Sequence, residues 1–210
     1  MSIADPIRQY LDTARAQIAQ GELQQAAQTL NQAQKKSPND ARTFMVASWM
    51  AEKSGNIQGA FDALRKCVAM APNWGPGLLE LALLLARQNQ FKEATETAEK
   101  VATIEPRNLQ VLAGVVDIAH RAGHNEMAIR HLRRGLELVP GDIQLRHLLA
   151  RDLSTEGAHA EALDIWGALI EQNPADAQAR LGRVQTLLTA QTPAKAIADT
   201  TELLAQAPGD

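Results

Sequence analysis

Residues 41–74 read ARTFMVASWMAEKSGNIQGAFDALRKCVAMAPNW, and the architecture follows from this stretch. Phe44, Ala47, Ser48 and Ala51 recur at i, i+3, i+4 and i+7, which is one face of a helix. Gly55 breaks the run and is free to take the left-handed conformation that closes a helix C-terminus. Ala60, Phe61, Leu64, Cys67 and Val68 then make a second apolar face. Pro72 ends it, because its ring and missing N–H cannot continue a helix. The unit is therefore two helices joined by a turn. Ala60 is small where the two must approach, and a larger residue there overpacks at a cost of roughly 1–3 kcal/mol.

The same punctuation runs through the chain. Pro38, Pro72, Pro106, Pro140, Pro174 and Pro208 are spaced by 34 residues in every interval. Ala26, Ala60, Ala94, Ala128, Ala162 and Ala196 keep step with them. So do Gly21, Gly55, Gly123 and Gly157, with Asn89 and Gln191 at the two remaining positions. Two residues after each proline stands Asp40, Trp74, Asn108, Asp142, Asp176 or Asp210, and Asp or Asn there caps the next helix. Trp74 departs from this, but Gly75-Pro76 follows it and proline suits the first helical turn. Thr192-Pro193 starts the last helix in the same way.

The spacing predicts first helices near 8–20, 42–54, 76–88, 110–122, 144–156 and 178–190. Second helices are expected near 24–37, 58–71, 92–105, 126–139, 160–173 and 193–206. After a lead of residues 1–6, the repeats run 7–40, 41–74, 75–108, 109–142, 143–176 and 177–210. Composition agrees: among 210 residues Ala and Leu number 37 and 26, against 19 for Val and Ile together, which excludes a sheet protein. A 21% charged and 45% hydrophobic chain is not a disordered one. A net charge of −3 argues against a nucleic-acid binder.

This pattern resembles the tetratricopeptide repeat (TPR) family over residues 7–210. Tyr10, Phe44, Leu78 and Leu112 occupy the family's large apolar position near each repeat start, while Arg146 and Arg180 depart from it, as does Arg183 at a second apolar position. The resemblance implies an all-α fold, an α-α superhelix or solenoid of six 34-residue helical hairpins. It also implies that first helices line a concave groove that binds a peptide or partner protein. On this sequence the groove positions are Met45, Trp49, Leu79 and Leu83 in the first half and Asp117, His120, Arg121, His147 and Arg151 in the second. Arg15, Glu52, Glu80 and Arg87 lie on or near the same surface. An apolar patch on a face that should be wet marks a binding site. The alternative is that Trp49 and Leu83 pack between neighbouring first helices. The His/Arg surplus of the second half suggests a partner that is apolar at one end and acidic at the other. The family's carboxylate clamp for chaperone tails does not match, since Leu11, Arg15, Val46, Pro76 and Glu80 stand at its positions.

Nothing in the chain points to catalysis or to a cofactor. Gly55-Asn56-Ile57-Gln58-Gly59 has neither dinucleotide nor phosphate-loop spacing. Cys67 falls on a buried helix face, where a lone thiol is packing. His120 and His124 are separated by Gly123, and the Cys/His spacings of zinc sites are absent. A non-catalytic scaffold is thus the leading expectation. The rivals are a recruitment module of a larger enzyme, such as a TPR-linked methyltransferase or sulfotransferase, and a self-assembling structural protein. Pro208-Gly209-Asp210 repeats the sense of Pro140-Gly141-Asp142, which leads into a further repeat, so the array is expected to continue. On that view Leu203, Leu204 and Ala207 form an uncapped face open to self-association. No apolar run reaches membrane-spanning length, the N-terminal residues lack a secretory pattern and the cysteine is single, so the expected location is the cytoplasm.

Overall fold

A computed structural model describes residues 5–192, 197, 198 and 201. The helix expected at 193–206, with Leu203, Leu204 and Ala207, lies outside the described residues. Those described form eleven helices and no strand. They are α1 (Arg8–Gln20), α2 (Leu23–Lys36), α3 (Ala41–Lys53), α4 (Ile57–Met70), α5 (Gly75–Arg87) and α6 (Phe91–Ile104). Then follow α7 (Leu109–Ala122), α8 (Asn125–Leu138), α9 (Ile143–Thr155), α10 (His159–Gln172) and α11 (Ala177–Thr189). Most begin one residue before the expected position, because the capping residue stands directly ahead of the first helical turn.

The caps are local chemistry. Asp40 accepts from the Arg42 N–H, Asn108 from Gln110, Asp142 from Leu145 and Asp176 from Ala179, each at 3.0 Å. Trp74 makes no such bond; α5 starts instead on Gly75-Pro76. A Cβ on Gly75 would lie 2.0 Å from a Glu105 carboxylate oxygen, so a larger residue there would have to displace the end of that side chain. The turns inside the hairpins share one geometry. Gly21, Gly55, Gly123 and Gly157 have φ between 70° and 82°, and Asn89 and Gln191 follow at 59° and 56°. In each case the next N–H reaches back five residues to a helix carbonyl, as Asn56 does to Ala51 and Gln90 to Leu85, both at 2.9 Å. This satisfies carbonyls the helix end would leave unpaired.

The chain divides into two compact units, Met1–Pro106 and Arg107–Asp210. In the first, α1/α2, α3/α4 and α5/α6 are antiparallel hairpins, and α1, α3 and α5 neighbour one another in sequence. Its N-terminal core holds Ile7, Leu11, Ala14, Ile18, Leu30 and Val46. In the second, α7/α8 and α9/α10 are hairpins, α8 also packs on α9, and α11 packs on both α9 and α10. Ala26, Ala60, Ala94, Ala128 and Ala162 are wholly buried, as close helix contact requires.

Arg42 ties the segment before α1 to the start of α3. It is paired with Asp5 and, at 2.7 Å, with Asp40. The guanidinium holds the Asp5 carboxyl down at about 2 and lowers Asp40 as well, while the two carboxylates raise Arg42. The lead therefore begins to contribute contacts before residue 7.

Candidate functional site: two first-helix faces

In the first unit the expected surface is built from α1, α3 and α5. Trp49 is half-buried and packs against the N-terminal core. Its Nε1 donates to Glu80 Oε2 at 2.9 Å, and the Arg15 guanidinium sits 5.2 Å from the ring centroid. One indole thus bridges three first helices. Beside it Arg87 donates to both carboxylate oxygens of Glu52, at 2.7 and 2.9 Å. Leu79 and Leu83 are half-buried. Met45 is not on the surface: at 5% exposure it belongs to the core, where an unbranched side chain fills irregular space. The structure therefore leaves three of the four apolar residues half-buried, and Trp49 packs between neighbouring first helices.

In the second unit the groove positions are occupied by paired charges. Asp117 and Arg121 are exposed and joined at 2.8 Å one turn apart on α7. His120 Nε2 lies 2.6 Å from Oδ2 of Asp152, a carboxylate only 3% exposed. Arg151 donates to the other oxygen of Asp152 at 3.1 and 3.2 Å. His147 is buried; its Nε2 is 2.8 Å from Asp176 Oδ2, and its ring lies 5.6 Å from that of Trp166. Asp176 hence does two jobs, capping α11 with one oxygen and meeting His147 with the other. Each His and Arg of the set lies against a carboxylate, so the surplus read from the sequence is offset locally. Asp152 and Trp166 carried no signal in the repeat pattern, because both positions matter only through side chains of other helices.

Burial pushes the Cys67 thiol up to about 11, so the nucleophilic thiolate is scarce near neutral pH. Among the described residues no group of three or more His, Cys, Asp or Glu is placed to hold a metal ion, and no helix is long and apolar enough to cross a membrane. His124 stands at the N-cap position of α8 without a side-chain capping bond and is exposed.

Comparison with known proteins gives the same frame. A tetratricopeptide repeat family model matches residues 11–73 and 147–210. A TPR repeat-containing protein of Pseudomonas aeruginosa is 28% identical over 143 residues, which is 68% of this chain and 24% of the relative. Cellulose synthase 2 operon protein C of Komagataeibacter xylinus is 30% identical over 132 residues, 62% of this chain and 10% of that protein. The chain thus spans about a quarter of the first relative's length and a tenth of the second's. Among solved structures, YrrB, "a TPR protein with an unusual peptide-binding site", superposes with a TM-score of 0.67 at 19% identity, over 86% of this chain and 93% of that one. Pseudomonas aeruginosa pilF gives 0.68 at 16% identity, over 98% and 94%. At these identities the likeness is one of fold. With its unbroken 34-residue register, its paired helices and a family model that covers more than half its length, the chain belongs to the tetratricopeptide repeat family.

Proposed function

We propose that this chain is a non-catalytic scaffold that holds a protein or peptide segment against its first helices, with Trp49, Leu79 and Leu83 as the principal contact. The TPR fold is one of protein-interaction scaffolds. The observation that carries the finer reading is the half-burial of three large apolar side chains, together on α3 and α5, each with surface left to cover. A peptide-binding site is described for YrrB, which supports the class of ligand. No cofactor, nucleic acid or membrane is needed. The test is affinity capture with wild type, Trp49→Ala and Leu83→Ala, run well below their melting temperatures. Loss of a central aromatic contact typically costs at least about 2 kcal/mol, or roughly thirtyfold in affinity. A partner held equally by all three proteins refutes this face.

A second reading is supported by the comparisons: the two relatives described above are several times longer, and one belongs by name to a cellulose synthase operon. On that reading the chain is a recruiting segment of a larger assembly, and the coding sequence around it decides the matter. Self-association through the last repeat is a third, favoured by Leu181 and Leu188, which are 59% and 54% exposed on α11. Sedimentation at several concentrations tests it.

A further inference from the structure

The second unit contains a cavity of 240 Å³. Its walls are Leu112, Ala113 and Val116 of α7 and Leu145 and Leu148 of α9, with Leu132 of α8 beneath. Thirty-four residues before Ala113-Gly114 the chain carries Leu79-Glu80, and thirty-four before that Met45-Val46. Of these, Ala113 lines the cavity, and it is smaller than the Leu79 and Met45 that stand at its register position in the first unit. Leu109 at its margin is 43% exposed, so the apolar surface reaches solvent. The lining carries one carboxylate, that of half-buried Asp142. Its Oδ1 caps α9 at the Leu145 N–H, while among the described residues no donor pairs with its Oδ2. Arg146, one turn on, is turned away to the Pro140 carbonyl at 2.7 Å.

We propose that this cavity takes an aliphatic side chain of a partner segment whose neighbouring residue is lysine or arginine. The aliphatic group fills the space left by Ala113, and the cation meets the free oxygen of Asp142. At 240 Å³ and open to solvent beside Leu109 and Ala113, the cavity has room for a leucine-type side chain entering from outside. The acid supplies the choice of neighbour, since a basic residue is attracted to it and an acidic one repelled. The assignment rests on the scaffold reading above but not on the Trp49 face. Failure of that face in the capture experiment therefore leaves it standing, and the reverse holds too.

The experiment uses the 210-residue chain, isotope-labelled, with three probes followed by NMR: acetyl-Leu-Lys-amide, acetyl-Leu-Gln-amide and acetyl-Leu-Glu-amide. Saturable shifts are expected at Leu112, Val116, Leu145 and Leu148, with the lysine probe binding about threefold or more tighter than the glutamate probe, the scale of a partly exposed ion pair. Asp142→Asn keeps the helix cap, because asparagine caps as well as aspartate. It should bring the three affinities together. Ala113→Leu should abolish the shifts while the melting temperature holds or rises. Absence of saturable shifts at these residues for all three probes overturns the proposal. So does an unchanged ranking in Asp142→Asn, which does not depend on how Ala113→Leu folds.

Discussion

The indole N–H of Trp49 on α3 donates to the Glu80 carboxylate on α5 at 2.9 Å, while the same ring packs on the core beneath α1. A residue expected to serve a groove is therefore also part of what keeps neighbouring hairpins in place. Trp49→Ala removes half-buried aromatic surface as well as the bridge to Glu80. A fully buried tryptophan costs about 3–5 kcal/mol on truncation, so roughly 2 kcal/mol is expected here. The packing requires a lower denaturant midpoint. Glu80→Gln keeps an acceptor for the indole and should stay within about 0.5 kcal/mol of wild type. Urea unfolding of both variants measures the difference.

The buried alanines offer a test of register. Ala94 and Ala128 are wholly buried between helices, whereas Lys92 is exposed. Ala94→Leu or Ala128→Leu should destabilise by about 1–3 kcal/mol through overpacking, and Lys92→Leu should not. Equal midpoints for the buried and exposed variants contradict the helix contacts described above.

Two glycines of the second unit should respond with opposite sign. A Cβ on Gly182 of α11 would lie 2.5 Å from the ring of Trp166, which is buried and donates to Thr186 Oγ1 at 3.1 Å. Gly182→Ala forces that ring to move and should cost about 1–3 kcal/mol. A Cβ on Gly167 of α10 would have nothing within 4 Å. Gly167→Ala should therefore stabilise by about 0.5–1 kcal/mol, through the entropy lost by glycine in a helix. Thermal melts of the pair in parallel read both signs.

Acid should release the N-terminal tie. Folding depresses the Asp5 carboxyl from 3.8 to about 2, so the unfolded chain binds the proton more readily. The contribution is complete above the ordinary carboxylate range and is lost as pH falls through about 2. The stability difference between wild type and Asp5→Asn should accordingly shrink across that interval. It should be small throughout, because the pair with Arg42 is exposed. Denaturation at a series of pH values is the measurement. A difference that grows on acidification has the wrong sign for this contact.

What was legible in the residues is what neighbouring residues decide among themselves. Helix starts followed from Asp40, Asn108, Asp142 and Asp176, whose side chains reach backbone two or three positions away. Turns followed from the glycine series, and even Asn89 and Gln191 obey its left-handed geometry because the hairpin closes in one way. The buried alanines followed from period alone. The faces of the first helices did not. Met45 and Trp49 are four residues apart on one helix, yet one is core and the other reaches solvent. His147 was placed in a groove and is enclosed by Asp176 and Trp166, 29 and 19 residues further on. The cavity beside Ala113 likewise depends on what α8 and α9 put opposite it. A repeat specifies its own backbone, since capping and helical period act within a few residues. Exposure and pairing of a side chain are set by what the neighbouring repeats place against it.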